Sequence, residues 1–199
     1  MCPGGYVVNA SSEQGLLAVN GMSYQARDGE NANSALIVTV TPKDFPEEGA
    51  LGGIAFQRDL EKKAWELGKG KVPVQLFGDF CAHQPSSQLG EIHPNIKGGY
   101  VLTDVRSILP KELGDSIEEG IFAFGKKLSG FDRKDAVLSG IESRTSSPVR
   151  LVRDQKGLSN ITGIYPCGEG AGYAGGITSA AMDGIKTAEW IASEYMMKL

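Results

Sequence analysis

The run Ile161-Thr-Gly-Ile-Tyr-Pro-Cys-Gly-Glu-Gly-Ala-Gly-Tyr-Ala-Gly-Gly-Ile177 constrains the fold more than any other part of this 199-residue chain. Ile161 to Cys167 is short and apolar and lies between Asn160 and Gly168, so it reads as a buried strand. After it, Ile177, Ala181, Ile185, Ala188, Ile191 and Tyr195 recur at helical spacing, with Asp183, Lys186, Glu189 and Glu194 between them. Strand, glycine-rich turn and helix together present bare backbone N–H groups and a helix N-terminus to an anion. Five glycines and a glutamate in the nine residues 168–176 exceed what helix–strand packing needs, although a packing turn with no ligand is the alternative.

Gly170-Ala-Gly172-Tyr-Ala-Gly175 matches the dinucleotide pattern G-x-G-x-x-G. That pattern works at the head of a βαβ unit, with a second strand and an acidic residue about 20 positions on. Here the helix runs to the last residue, so a self-contained NAD-binding Rossmann domain fails on the missing second strand.

Composition excludes other classes. A net charge of −4 and a pI near 5.3 leave no basic footprint for nucleic acid. No apolar run approaches the roughly 20 residues of a membrane span. Met1-Cys-Pro-Gly-Gly5 has neither the basic nor the apolar region of a secretory leader. Cys2, Cys81 and Cys167 are odd in number and lack metal-ligand spacing, which leads us to expect a reducing, cytoplasmic setting and no metal site.

From the N-terminus, Tyr6–Ala10 and Leu16–Asn20 flank the turn-forming Ser11-Ser-Glu-Gln-Gly15 and predict a β-hairpin. A chain that begins on the tight turn Cys2-Pro-Gly-Gly5 reads as a piece of something longer. Arg27, Asn31 and Asn33 bring donors close together ahead of a predicted strand, Ala35–Thr41. They suit a substrate pocket, and equally the side-chain-to-backbone turns that Asn and Asp favour. Phe56, Leu60, Ala64 and Leu67 share one helical face, and Val72–Phe77 is a strand in which Pro73 belongs at an edge or near the start. The connection from Gly78 to Gly99 carries both histidines, His83 and His93, in a solvated loop of lid-like length. Leu113, Ile117, Ile121, Phe124 and Leu128 mark a further helix after Pro110, and Ala136–Ile141 a further strand.

That strand delivers Glu142-Ser-Arg-Thr-Ser-Ser-Pro-Val-Arg150, in which seven of nine side chains are polar. Arg144 among hydroxyls, Ser146 included, makes a planar donor fork for a carboxylate, a phosphate or a carbonyl. Glu142 either shares the chemistry or holds the fork by an ion pair.

Tyr165-Pro-Cys-Gly-Glu-Gly-Ala-Gly-Tyr-Ala-Gly-Gly-Ile177, with Ser179-Ala-Ala and Asp183-Gly-Ile-Lys186, resembles the C-terminal flavin motif of a family of uncharacterised FAD-dependent dehydrogenases. These are NAD(FAD)-utilising members of the two-dinucleotide-binding-domain flavoproteins. The Ala-Arg-Asp-Gly-x-Asn-Ala-Asn-Ser and Glu-Ser-Arg-Thr-Ser-Ser-Pro-Val-Arg patterns extend the resemblance over nearly the whole chain. It implies that Glu169 hydrogen-bonds the ribityl chain of FAD, and an acceptor-only carboxylate suits those hydroxyls. Gly168, Gly170, Gly172, Tyr173, Ala174, Gly175, Gly176 and Ile177 complete the implied cofactor site. Arg27, Asn31, Asn33, Arg144 and Ser146 bind substrate in this reading, Arg144 and Glu142 are the catalytic candidates, and Cys2 is a further group near the ring.

The expected fold is α+β: a mixed sheet with packed helices over residues 1–140, the substrate-side domain. Residues 141–199 form the C-terminal part of an FAD-binding domain, ending in strand, glycine-rich turn and helix. The expected partners are a small-molecule substrate and the N-terminal dinucleotide-binding region of the same protein, with NAD(P)H a candidate electron donor. No upstream strand leads into a second glycine fingerprint, so the turn reaches one end of FAD only, and the chain by itself should hold the cofactor weakly and be inactive. The alternative is a self-sufficient module that binds phosphate or a small ligand without redox activity.

Overall fold

The computed structural model describes residues 3–196. Two compact units emerge: residues 1–41 with 57–143, and residues 42–56 with 144–199. Cys2 lies outside the described residues.

The first unit holds two small mixed sheets. In one, β1 (Gly5–Asn9) pairs antiparallel with β2 (Val19–Ser23) and parallel with β4 (Ile96–Lys97). In the other, β3 (Val72–Leu76) is central, parallel to β5 (Tyr100–Leu102) and antiparallel to β6 (Val137–Ser139). The architecture is α+β, as the sequence pattern predicts. The predicted hairpin forms, with its second strand at 19–23 rather than 16–20. Leu17 and Ala18 are instead buried in the connecting loop, where the Leu17 N–H donates to the Glu61 carbonyl. Burying Leu17 in the core outweighs extending the ladder.

Pro73 sits second in a central strand, and the missing N–H costs nothing there. Its carbonyl still accepts from Gly140, while the neighbouring Val72 N–H donates to Gly99. Helix α1 (Gly52–Gly68) buries Phe56, Leu60 and Ala64 on the face their spacing predicts. β3 runs directly into the short helix α2 (Phe77–Cys81), which places Phe77 and Phe80 in the core beside Val72, Val74, Val105, Ile108 and Ile121. Helix α3 (Lys111–Gly125) starts on Pro110, whose carbonyl accepts from Leu113 and Gly114. The buried Arg106 binds Asp115 and Glu118 of α3 (Glu118 at 2.7 Å) and stacks on Phe80, so the charge it buries is paired twice. Both histidines are exposed.

Three expectations are corrected. Ala35–Thr41 is not a strand: residues 35–40 keep the alternation of half-buried Leu36, Val38 and Val40 with exposed Ala35, Ile37 and Thr39, and pair with no strand among the described residues. Ile161–Cys167 is not a strand either. The second unit contains no sheet among its described residues, Gly163 takes φ +85°, and Ile161 and Ile164 are exposed. A strand exists only against a partner, and neither segment has one. The third correction concerns α4 (Ile177–Met196). It forms where the periodicity puts it, but Ile177, Ala181, Ile185, Ala188 and Tyr195 are exposed, Ile177 by 94%. The face that packs is Asp183, Gly184, Thr187, Trp190, Ile191 and Glu194. Buried polar bonding, set out below, turns the helix this way and leaves its apolar stripe open.

No helix among the described residues is long and apolar enough to cross a membrane.

Candidate functional site

In the second unit, Leu151 N–H donates to the Ala171 carbonyl, so the chain at 149–153 runs beside the glycine turn. The turn closes on itself through Gly172 N–H to the Glu169 carbonyl (2.8 Å) and Tyr173 N–H to the Gly168 carbonyl (3.0 Å). Ser179 Oγ accepts from Gly176 N–H at 3.1 Å and so caps the entry to α4. The first turn of α4 carries no acidic side chain, so nothing in it offsets the positive end of the helix dipole.

The glycines of the turn divide into two groups. Gly168 and Gly172 take φ of +71° and +80°, and a Cβ on Gly172 would lie 2.5 Å from the Val149 carbonyl oxygen. Backbone geometry requires these two. Gly170 has no positive φ, and a Cβ there would meet nothing within 4 Å. At Gly175 and Gly176 the nearest atoms to a Cβ would be hydroxyls of Ser146 (3.8 Å) and Ser179 (3.6 Å), which are ordinary contacts. Internal packing therefore requires glycine at none of these three. They leave bare main chain toward the outside.

Glu169 is exposed, and its carboxylate has no partner among the described residues. Such an acceptor beside bare backbone N–H groups fits the sugar-type hydroxyls and phosphates of a dinucleotide. The structure brings Ser146 next to Gly175, and the Ser147 hydroxyl lies 3.1 Å from the Gly170 carbonyl. Arg144 is exposed.

In the first unit the side-chain amides of Asn31 and Asn33 have partners within the fold. Asn31 Nδ2 donates to the His93 carbonyl at 2.6 Å, and Asn33 Nδ2 to the Tyr6 carbonyl at 2.9 Å. Arg27 takes φ +53°, and its backbone packs so closely on Gly4 that a Cβ there would lie 2.5 Å away. These residues tie the 24–33 loop to β1. Glu142 is half-buried, and burial pushes its carboxyl up.

Several residues carry no local signal in the sequence. Glu61, fully buried on α1, accepts from Ser143 Oγ at 2.6 Å. Arg153 and Asp183 form a bidentate pair, with Nη2–Oδ1 at 2.6 Å and Nη1–Oδ2 at 2.9 Å. The Arg153 guanidinium, helped by the Gly168 N–H, holds the Asp183 carboxyl down at about 2. Tyr173 receives Arg153 on its ring at 3.6 Å and Arg150 at 4.3 Å. Arg150 is exposed and forms no ion pair with a described residue, whereas the charge of Arg153 is matched by Asp183. Pairings at sequence separations of 30 (Arg153–Asp183) and 82 (Ser143–Glu61) leave no periodicity to read. Cys81 is half-buried, with its thiol pushed up by burial, and Cys167 is exposed.

With mixed sheets, helices and an open glycine turn at the head of α4, this is an α+β protein. The chain belongs to the family of FAD-dependent protein, C-terminal domain-like sequences, whose model matches residues 1–145. It is similar to an uncharacterized protein of Clostridium beijerinckii, at 53% identity over 198 residues, covering 98% of this chain and 37% of that protein. The chain thus spans little more than a third of that relative's length.

Proposed function

We propose that this chain is the C-terminal part of an FAD-dependent oxidoreductase of the dehydrogenase type, and that residues 168–177 seat the flavin end of the cofactor. The observation that carries the reading is the set Gly170, Gly175 and Gly176, glycines that internal packing does not require, beside a carboxylate with no partner among the described residues. Family membership adds FAD as the cofactor class. When bound, FAD supplies the hydride chemistry. The chain's residues then have separate tasks. Glu169 would accept from ribityl hydroxyls, and the bare main chain at Gly170 and Gly175, whose amides are not spent inside the turn, would meet the ring and phosphates. Arg144, with Ser146, binds an anionic or carbonyl group of a small substrate, and the half-buried Glu142 is the nearby candidate acid or base.

In this reading residues 1–140 form the substrate side and 141–199 complete an FAD-binding domain whose nucleotide-binding region lies elsewhere in a longer protein. The exposed apolar residues of the second unit, Val152 at 79% and Ile185 at 63% among them, support a covering partner of that kind.

In the full-length protein, Glu169→Ala should weaken FAD by about 1–3 kcal/mol, the size of a lost charge-assisted hydrogen bond. Titrating apo-protein with FAD by flavin fluorescence measures this, and unchanged affinity removes Glu169 from the site. Arg144→Lys keeps the charge but loses the planar fork, so turnover should fall while FAD affinity holds. Loss of flavin with normal turnover per bound flavin would instead make Arg144 structural. A second reading, a phosphate-binding module without redox activity, draws on the first turn of α4, which holds no acidic side chain, and on Arg150, which forms no ion pair with a described residue. Phosphate binding by a full-length protein that takes up no FAD would favour it.

A further inference from the structure

We propose that Arg153 and Asp183 are a positioning pair that sets the shape of the glycine-rich turn, acting through its backbone and not by touching the ligand. The inference deepens the flavin-seat reading and rests on it for the identity of the ligand.

The pair grips the turn at its entrance. Asp183 Oδ2 accepts from the Gly168 N–H at 2.8 Å, and Arg153 Nη1 donates to the Pro166 carbonyl at 2.8 Å. These two backbone groups flank Cys167, at the end of the segment whose sequence predicts a strand. In a strand they would be satisfied by a neighbouring chain. Here one side chain from residues 149–153 and one from α4 satisfy them instead, so the polypeptide entering the turn is fixed without a sheet.

The grip is itself held. The Arg153 guanidinium lies 3.6 Å from the Tyr173 ring centroid and 5.1 Å from that of Trp190. Its own backbone N–H donates to the Tyr173 hydroxyl at 3.1 Å. Trp190 is seated so closely against Gly157 that a Cβ there would come within 2.3 Å of its ring. The Thr187 hydroxyl donates to the Asp183 carbonyl at 2.8 Å. The two charged side chains are 10% and 12% exposed. Arg153 is thus neutralised, enclosed by aromatic rings and turned away from an incoming anion. The Gly168 amide is committed to Asp183, so ligand-facing donors begin beyond it, at Glu169. An anion at Gly168 itself would meet the Asp183 carboxylate.

The pair therefore decides where the turn begins and which amides remain for a ligand. Asp183→Asn removes the charge at constant size, Arg153→Lys keeps the charge without the fork, and Asp183→Glu is the conservative check. The first readout needs no cofactor: amide NMR of the 199-residue chain. Asp183→Asn should shift the Gly168 amide, strip its exchange protection, and move or broaden the resonances of Gly170, Gly172, Gly175 and Gly176. Resonances from 57–143 should stay in place. The second readout is FAD binding by the full-length protein well below its melting temperature. Asp183→Asn and Arg153→Lys should each raise Kd tenfold or more and shift the visible band of the flavin that remains bound, with Asp183→Glu restoring part of both.

A pair that only stabilises the fold would lower Tm and leave Kd, the flavin band and the turn amides unmoved, and that result overturns the proposal. A full-length wild type that binds no FAD overturns the flavin reading alone. The turn amides still decide whether the pair shapes the turn.

Discussion

Replacing Phe77 by alanine should destabilise the first unit by about 3–5 kcal/mol, a large share of the 5–15 kcal/mol that holds an ordinary domain together. Phe77 is 1% exposed and sits where β3 becomes α2, with its ring centroid 5.1 Å from that of Phe122. Neighbours on both sides belong to regular elements and cannot close over the lost volume, so the cavity persists. Phe77→Leu should recover more than half of the loss, because it removes much less buried area. Urea unfolding followed by circular dichroism gives both numbers. An alanine variant within 1 kcal/mol of the parent would mean that the β3–α2 junction is not the centre of this core.

The second large effect separates two kinds of glycine in one turn. Gly172→Ala places a methyl 2.5 Å from the Val149 oxygen and 3.1 Å from the Arg150 Cα, at φ +80°. The obstacles are backbone, with no flexible side chain to swing aside. Left-handed strain and the clash together should cost about 2–4 kcal/mol in the second unit. Gly170→Ala meets nothing within 4 Å at an ordinary φ, and should leave stability within about 0.5 kcal/mol. In the full-length protein that silent change should still reduce FAD binding tenfold or more, because the methyl stands where the cofactor approaches the main chain. If Gly170→Ala binds FAD normally, the turn is a packing device and the flavin seat is elsewhere.

Where the fold was legible in the sequence, the signal was local. Phe56, Leu60 and Ala64 share a face at helical spacing, Pro110 marks the start of α3, and the apolar run at 72–76 is a buried strand. Each depends on groups that the same unit supplies. The misreadings share a different cause. An alternating or helical pattern tells which side of a segment is apolar, and says nothing of whether a surface stands opposite it. Ala35–Thr41, Ile161–Cys167 and the Ile177/Ile185 stripe all have such a side without such a surface. The glycine turn was visible as composition, but its organisation was not. Arg153 and Asp183 are ordinary surface types in the sequence, and the chain's folding brings them together. The amides of Asn31 and Asn33 bind the His93 and Tyr6 carbonyls, at sequence separations of 62 and 27 that no local pattern shows.

The extended run at 35–41 has a consequence for how such a chain behaves in company. Leu36-Ile-Val-Thr-Val-Thr41 is six residues of strong β-formers with no charge, no proline and no glycine. Segments of this make-up stack into cross-β assemblies when their edges are open. The run already holds a strand-like alternation without a ladder, so little ordering stands between it and a second identical run. Pro42 and Lys43 follow at once, and residues of those types break the growth of such stacks at their ends. Colloidal behaviour at high concentration therefore turns on two residues just beyond the run.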